Sequence, residues 1–280
     1  MSAEQTEQIT NPEQVKKPTD QKSVFIKRKR TFTIAFIGIL AIFLISSRVT
    51  EFSIIGGFEA IPQAFSWITK NFIPDERALA RFPLILEYLA ETVLVSVAVT
   101  VCAAICAFFF SLAGTRTTNA NPWLARIVRI IAAFFRNVPD VVWALLLLFT
   151  FGQNILTGFF ALFFYTFGLL TRTFIETIDE VSSSCVEALR ATGATSMQIV
   201  TQGIVPSTMS IIVSWVLYMI ETNIRASTLI GMLTATGIGF LFDTYYKRME
   251  YGSASLVVIV IVITVIAIEL TSNKIRKVIM

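Results

Sequence analysis

The chain has 280 residues, of which 55% are hydrophobic and only 15% charged, and it carries a formal charge of +4. A water-soluble domain carries about a quarter charged residues, and a soluble surface this apolar would aggregate, so lipid is the solvent that fits. Histidine is absent, which removes the commonest general base and metal ligand, and Cys102, Cys106 and Cys185 form no C-x-x-C pair, so no metal site or disulfide framework is expected.

Residues 1–30 are polar and end in the basic cluster Lys27, Arg28, Lys29 and Arg30. They predict a mobile tail, too long before the first apolar stretch to be a secretory signal. A membrane-spanning helix needs about 20 mostly apolar residues. Residues 31–46 with a few flanking positions give a first span, and residues 48–83, with Phe65, Trp67 and Phe72, give an external segment that is either an interfacial amphipathic helix or a plain loop. Further spans are read at 84–112, 130–151 and 155–170, then at 207–221 continuing through a Gly-rich stretch to Phe242, and at 254–270. The fold class is therefore all-α, a polytopic membrane protein of about six transmembrane helices.

Six spans put both termini on one side, and the basic residues choose the side. With the termini in the cytoplasm, fifteen Lys and Arg fall inside, seven fall outside (Arg48, Lys70, Arg77, Arg81, Arg225, Lys247 and Arg248), and Arg136 lies within a span. The positive charge is thus a topology signal and calls for no nucleic acid.

The span at 130–151 is interrupted by Arg136, Asn137, Pro139 and Asp140. A charge at mid-bilayer costs about 3 kcal/mol, so it pairs or faces a pathway. Arg136 and Asp140 stand four apart and can pair on one helix face, either as a local ion pair at a proline kink or on a translocation path. Glu221, Asn223 and Arg225 are read as the end of the fifth span, either interfacial charges at a helix end or further candidates for the translocation path, with Arg225 able to attract an anion. Gly231, Gly237 and Gly239 then permit close backbone approach or a re-entrant turn. Glu87, Glu91, Asp140 and Glu221 would be the candidates for an intramembrane enzyme, but carboxylates without His or a metal cluster make a poor catalytic set.

Residues 172–206 form the longest internal cytoplasmic loop. Ser184 and Glu187, and again Thr195 and Gln198, have capping-box spacing, Gly193 suits a left-handed helix stop, and Pro206 suits a helix start. The loop therefore reads as two short helices with a turn. Glu187, Ala188 and Leu189, then Gly193 and Pro206 at their spacings, resemble the EAA signature of ABC importer permeases. Leu189 stands for the signature's second Ala, Gly203 for its Ile and Val205 for its Leu. The stretch from Arg136 to Leu145, the segment from Asn223 to Gly239 and the pair Ser272 and Arg276 further resemble phosphonate importer permeases.

The resemblance implies a type I ABC importer permease fold and a core over 84–271, with 272–280 a cytoplasmic tail. It implies a non-catalytic subunit of the inner membrane, without cofactor, whose loop docks on cytoplasmic ATPase subunits and whose cargo arrives from a periplasmic binding protein. No Gly-Lys pair exists for a nucleotide-binding loop, so ATP is bound by another chain. One coupling loop per chain makes a homodimer the simplest assembly. The implied cargo is a phosphonate, phosphite or related oxyanion; a methionine or other amino-acid importer is the alternative.

Overall fold

The computed structural model describes residues 19–116 and 122–279, and all the elements among them are helices. Of the expected mobile tail, residues 1–18 lie outside the described residues. The rest differs from expectation: α1 (Thr19–Val49) already contains Lys27 to Arg30, which lie on a helix rather than in a tail. Its apolar side chains, Phe36, Ile39 and Ile42 among them, are exposed, as suits a helix that meets lipid. The external segment takes the helical alternative as α2 (Ile54–Asn71). The chain divides into two compact units between Ser66 and Trp67, and the second holds everything below.

In that unit a short helix, α3 (Glu76–Ala80), is started by Asp75, whose Oδ1 accepts from the Ala78 amide at 2.8 Å. It leads into α4 (Phe82–Gly114), with proline in the first turn, where the missing amide proton costs little. α5 (Pro122–Asn137) and α6 (Asp140–Phe151) follow, bent 88° to one another. α7 (Ile155–Val181) is longer than expected. Then come α8 (Ser183–Ala191), α9 (Ser196–Gln198), a π-helical turn over Ile199–Ile204, and α10 (Val205–Thr234). α11 (Gly237–Lys247) and α12 (Tyr251–Ile279) complete the chain. Among the described residues five stretches are long and apolar enough to cross a membrane, and the bent pair α5 and α6 makes six when it counts as one span.

α7 is the centre of the bundle, touching α4, α5, α6 and α10. Phe167, Leu170 and Phe174 on it pack with Ala103 and Ala107 of α4 and with Ile212 and Met219 of α10. Apolar burial gives little drive inside lipid, so helices associate through close packing and interhelical hydrogen bonds. Gly168 supplies a close approach: a Cβ there would lie 2.6 Å from the Arg136 amide nitrogen and 2.9 Å from the Ala132 carbonyl oxygen. Asn223 supplies the hydrogen bonds. Its Nδ2 reaches Thr100 Oγ1 on α4 at 2.8 Å and Thr166 Oγ1 on α7 at 3.0 Å. One turn on, Ser227 and Ser96 share a bond of 2.6 Å.

The Gly-rich stretch is a sharp reversal. Ala235 and Gly237 have φ of 55° and 59°, and α11 folds back on α10. Gly231 and Gly239 leave no room for a side chain against the Thr236 and Thr228 carbonyls. Thr92 of α4 accepts from the Ile238 amide at 2.8 Å and so satisfies a free amide at the start of α11. α10 runs to Thr234, so Glu221, Asn223 and Arg225 lie midway along the fifth span, not at its end. Arg225 therefore lies within a span helix, as do Arg136 and Arg172. Likewise Ser272 and Arg276 lie on α12 rather than in a tail.

Candidate functional site

Two groups of residues stand out, one between α7 and α10 and one along the membrane helices. The first is the helical hairpin anticipated in the loop. α8 ends at Gly193, whose φ is 79°. The Gly193 amide donates to the Arg190 carbonyl at 3.0 Å and the Ala194 amide to the Leu189 carbonyl at 3.1 Å. That pair of bonds is a Schellman stop, which asks for a left-handed residue and hence for glycine. The second capping box forms: Thr195 Oγ1 accepts from the Gln198 amide at 3.4 Å, and Gln198 Oε1 accepts from the Thr195 amide at 2.8 Å. The first does not form. α8 begins at Ser183 with Ser182 as its cap, so Ser184 lies inside the helix, and Ser182 Oγ instead donates to the Ile178 carbonyl at 2.6 Å.

Pro206 sits at the start of α10, but it does not restart a broken chain. The helix is continuous from Ser196, and the wider π-turn over Ile199–Ile204 carries it into the proline. Val186, Ile199 and Ile204 pack with Ile178 at the end of α7, with Leu112 and Leu189 alongside. The two departures from the EAA signature meet in this packing. A Cβ on Gly203 would lie 2.8 Å from Leu189 Cδ1, so the larger Leu189 occupies the room that the smaller Gly203 leaves. On the opposite face Glu187, Ala188, Arg190 and Met197 are exposed, and Glu187 makes no hydrogen bond or ion pair among the described residues.

At the end of α7 that meets the hairpin, Arg129 Nη2 pairs with Asp179 Oδ2 at 2.9 Å, and its Nε donates to the Gly114 carbonyl at 3.0 Å. Asp179 Oδ1 also accepts from the Arg116 amide at 2.9 Å. One carboxylate thus ties α4 and α5 to the end of α7, beside the hairpin. Sequence reasoning missed this brace because Arg116 and Arg129 served there only as topology charges.

The second group begins at the break between α5 and α6. Gly168, against which the Arg136 backbone packs, is the middle residue of α7, so the break lies halfway through the bundle. The proposed pairing of Arg136 with Asp140 does not form. The bend at Pro139 places them on different helices, and Asp140 Oδ1 accepts from the Val141 amide at 2.8 Å at the start of α6. Arg136 is exposed and makes no hydrogen bond or ion pair among the described residues. Both lie within electrostatic reach of the Tyr165 phenol on α7, as does Tyr218 of α10.

Glu221 and Arg225 do pair, at 2.6 Å, one turn apart on α10. Glu221 is also approached by Arg276 of α12, at 3.6 Å. Asn223, between them in sequence, points the other way, is 1% exposed, and is spent on Thr100 and Thr166. The i,i+4 spacing of Glu221 and Arg225 made their pair legible in the sequence; the approach of Arg276 depends on how α12 packs.

Comparison with known proteins agrees with this arrangement. The family model described as binding-protein-dependent transport system inner membrane component matches residues 101–279. The phosphite transport system permease protein PtxC of Stutzerimonas stutzeri is 30% identical over 189 residues, 68% of this chain and 69% of its own. HtxC of the same organism, named for phosphite transport, is 29% identical over 256 residues, 91% of this chain and 89% of its own. Among solved structures, an inward facing form of the MetNI methionine ABC transporter superposes with a TM-score of 0.57 at 23% identity, over 70% of this chain and 97% of the matched one. That likeness speaks for the fold alone. With the membrane helices, the hairpin between α7 and α10 and a family match over 101–279 in agreement, the chain belongs to the binding-protein-dependent transport system inner membrane components, the permease subunits of ABC importers.

Proposed function

We propose that this permease carries a small phosphorus oxyanion, a phosphonate or phosphite, into the cell, driven by an ATPase on a separate chain. The observation that carries the reading is Arg136, a guanidinium unpaired among the described residues, halfway through the bundle at a broken span. An unpaired cation at that depth is costly in lipid and is sustained by water and passing anions. The phosphite transport names of the two Stutzerimonas relatives support the same cargo. Arg136, Pro139 and Asp140 then shape the path at the break, Glu221 and Arg225 border it on α10, and Asn223 holds the helices that frame it.

Docking of the ATPase falls to the exposed face of the hairpin at Glu187 and Ala188, set by Leu189, Gly193 and Pro206. A binding protein delivers cargo from outside, two copies of the chain enclose the path, and both termini lie in the cytoplasm of a cell with this permease in its inner membrane. The test is growth and labelled uptake with phosphite or a phosphonate as sole phosphorus source, in cells with and without the chain. Deletion is expected to abolish uptake, and Arg136→Gln to reduce it about tenfold or more, the scale of one lost charge contact. Unchanged phosphorus uptake on deletion, with loss of methionine uptake, rejects the phosphorus cargo.

A further inference from the structure

Glu221 is shared by two guanidiniums from two helices. Arg225 Nη2 lies 2.6 Å from its Oε1, and Arg276 Nη2, from the last turns of α12, lies 3.6 Å from its Oε2. Two cations around one carboxylate leave a surplus of one positive charge. That surplus has a direction. The side chains of Glu221 and Arg276 are 10% and 27% exposed whereas that of Arg225 is 50% exposed, so Arg225 is the guanidinium that faces out of the bundle. Tyr218, two turns back along α10, is also exposed and lies edge-on to Trp215.

The two arginines are not equally satisfied. Arg225 donates to Glu221 in a short charge-assisted bond, and its other N–H groups remain available in a planar fork that suits a tetrahedral oxyanion. Arg276 stands beyond hydrogen-bond distance of the same carboxylate, and its buried Nε has no partner. A carboxylate released by Arg225 therefore has a cation waiting on its other side.

We propose that Arg225 is an anion-contacting residue of the permeation path and that Glu221 is its exchangeable counter-ion: an arriving oxyanion replaces Glu221 on Arg225, and Glu221 closes on Arg276. The naming of the anion as a phosphorus oxyanion rests on the cargo reading above. Holding the anion by one surplus charge, with a carboxylate poised to take its place, meets the need for a path site to bind and also let go. It also makes the contact between α10 and α12 depend on whether the site is filled.

The test titrates inorganic phosphite calorimetrically onto the importer isolated through a tag on this chain, and measures labelled phosphite uptake in proteoliposomes with its binding protein. Arg225→Gln is expected to abolish phosphite binding. Glu221→Gln removes the competitor and is expected to tighten binding roughly tenfold while lowering maximal uptake, since one charge at this range changes affinity by at least that factor. Glu221→Asp is expected to stay near wild type. Should Glu221→Gln fail to assemble, the double variant Glu221→Gln with Arg276→Gln restores a surplus of one charge, still lacks the competitor, and is expected to bind at least as tightly as the wild type. Wild-type affinity in both Arg225→Gln and Glu221→Gln, a loss of binding in the double variant, or no phosphite binding by the wild type overturns the proposal. Arg225-dependent phosphite binding by an importer that transports neither phosphite nor a phosphonate overturns the cargo reading and keeps the site; normal uptake by Arg225→Gln does the reverse.

Discussion

Gly193 and Glu187 sit six residues apart on one hairpin and ask for opposite experiments. At Gly193 the space around a new Cβ is empty and only the backbone objects, because φ is 79°. Valine there is expected to cost about 1–2 kcal/mol in the left-handed region and to loosen the end of α8, with Asn milder because it tolerates that region. Glu187 is exposed and unpaired among the described residues. Glu187→Ala is therefore expected to leave thermal stability within about 0.5 kcal/mol of wild type, as exposed sites do. The same variant is expected to lose ATPase retention on a pull-down and uptake in cells. A melting temperature that falls as far in Glu187→Ala as in Gly193→Val would show that Glu187 supports the hairpin rather than a partner.

At the scale of elements, the two arms of the hairpin are closed on each other by the contact of Leu189 with the π-turn at Gly203. Leu189→Ala empties that contact and is expected to cost about 2 kcal/mol. Gly203→Ile drives a branched side chain into Leu189 and is expected to cost about 1–3 kcal/mol. Together the two changes restore the large and small partners in reversed order, which is the EAA pattern that the chain resembles. The double variant is therefore expected to be more stable than either single one, measured by denaturant or thermal melting in detergent; additive losses would show that the two residues do not share one space. The starts of α4 and α12 offer a second test. Arg81 pairs with Glu250 and lies over the Tyr245 ring at 4.9 Å, and the guanidinium beside it holds the Glu250 carboxyl below its usual value of 4.5. A carboxyl depressed in the folded state adds stability above its unfolded value and loses it as pH falls through the folded one. The melting advantage of wild type over Glu250→Gln is therefore expected to be full at pH 6–8, to shrink below about pH 4.5 and to vanish in stronger acid. An advantage that persists unchanged at pH 3 would assign the contact to packing instead.

For the whole molecule the issue is orientation. The sequence count of fifteen basic residues against seven, with Arg136 within a span, argues for cytoplasmic termini. A reporter fused after the last residue is expected to be active only on the cytoplasmic side, and a cysteine placed at Arg77 is expected to react with an impermeant reagent from outside. The reverse labelling would carry the hairpin to the external face, where no ATPase could reach it.

The sequence alone determined the membrane class, the number of spans, the stop at Gly193 and the family resemblance, because each rests on local composition or spacing within a few turns. Gly231, Gly237 and Gly239 announced a reversal for the same reason: only glycine permits backbones to approach so closely. What the sequence could not decide depends on which helices become neighbours. The pairing of Arg136 with Asp140 looked right by spacing and fails because Pro139 turns the chain through a bend that spacing does not encode. Asn223 stood beside Glu221 and Arg225 among the path candidates, and α10 turns it toward Thr100 and Thr166, which are far away in the chain. Leu189 and Gly203 looked like two separate departures and are one packing solution. Arg276 looked like a solvated tail charge and reaches Glu221 because α12 stays helical past it and packs along α10. Local propensity and periodicity act within a segment, whereas charge partners and close contacts are assigned by packing between segments.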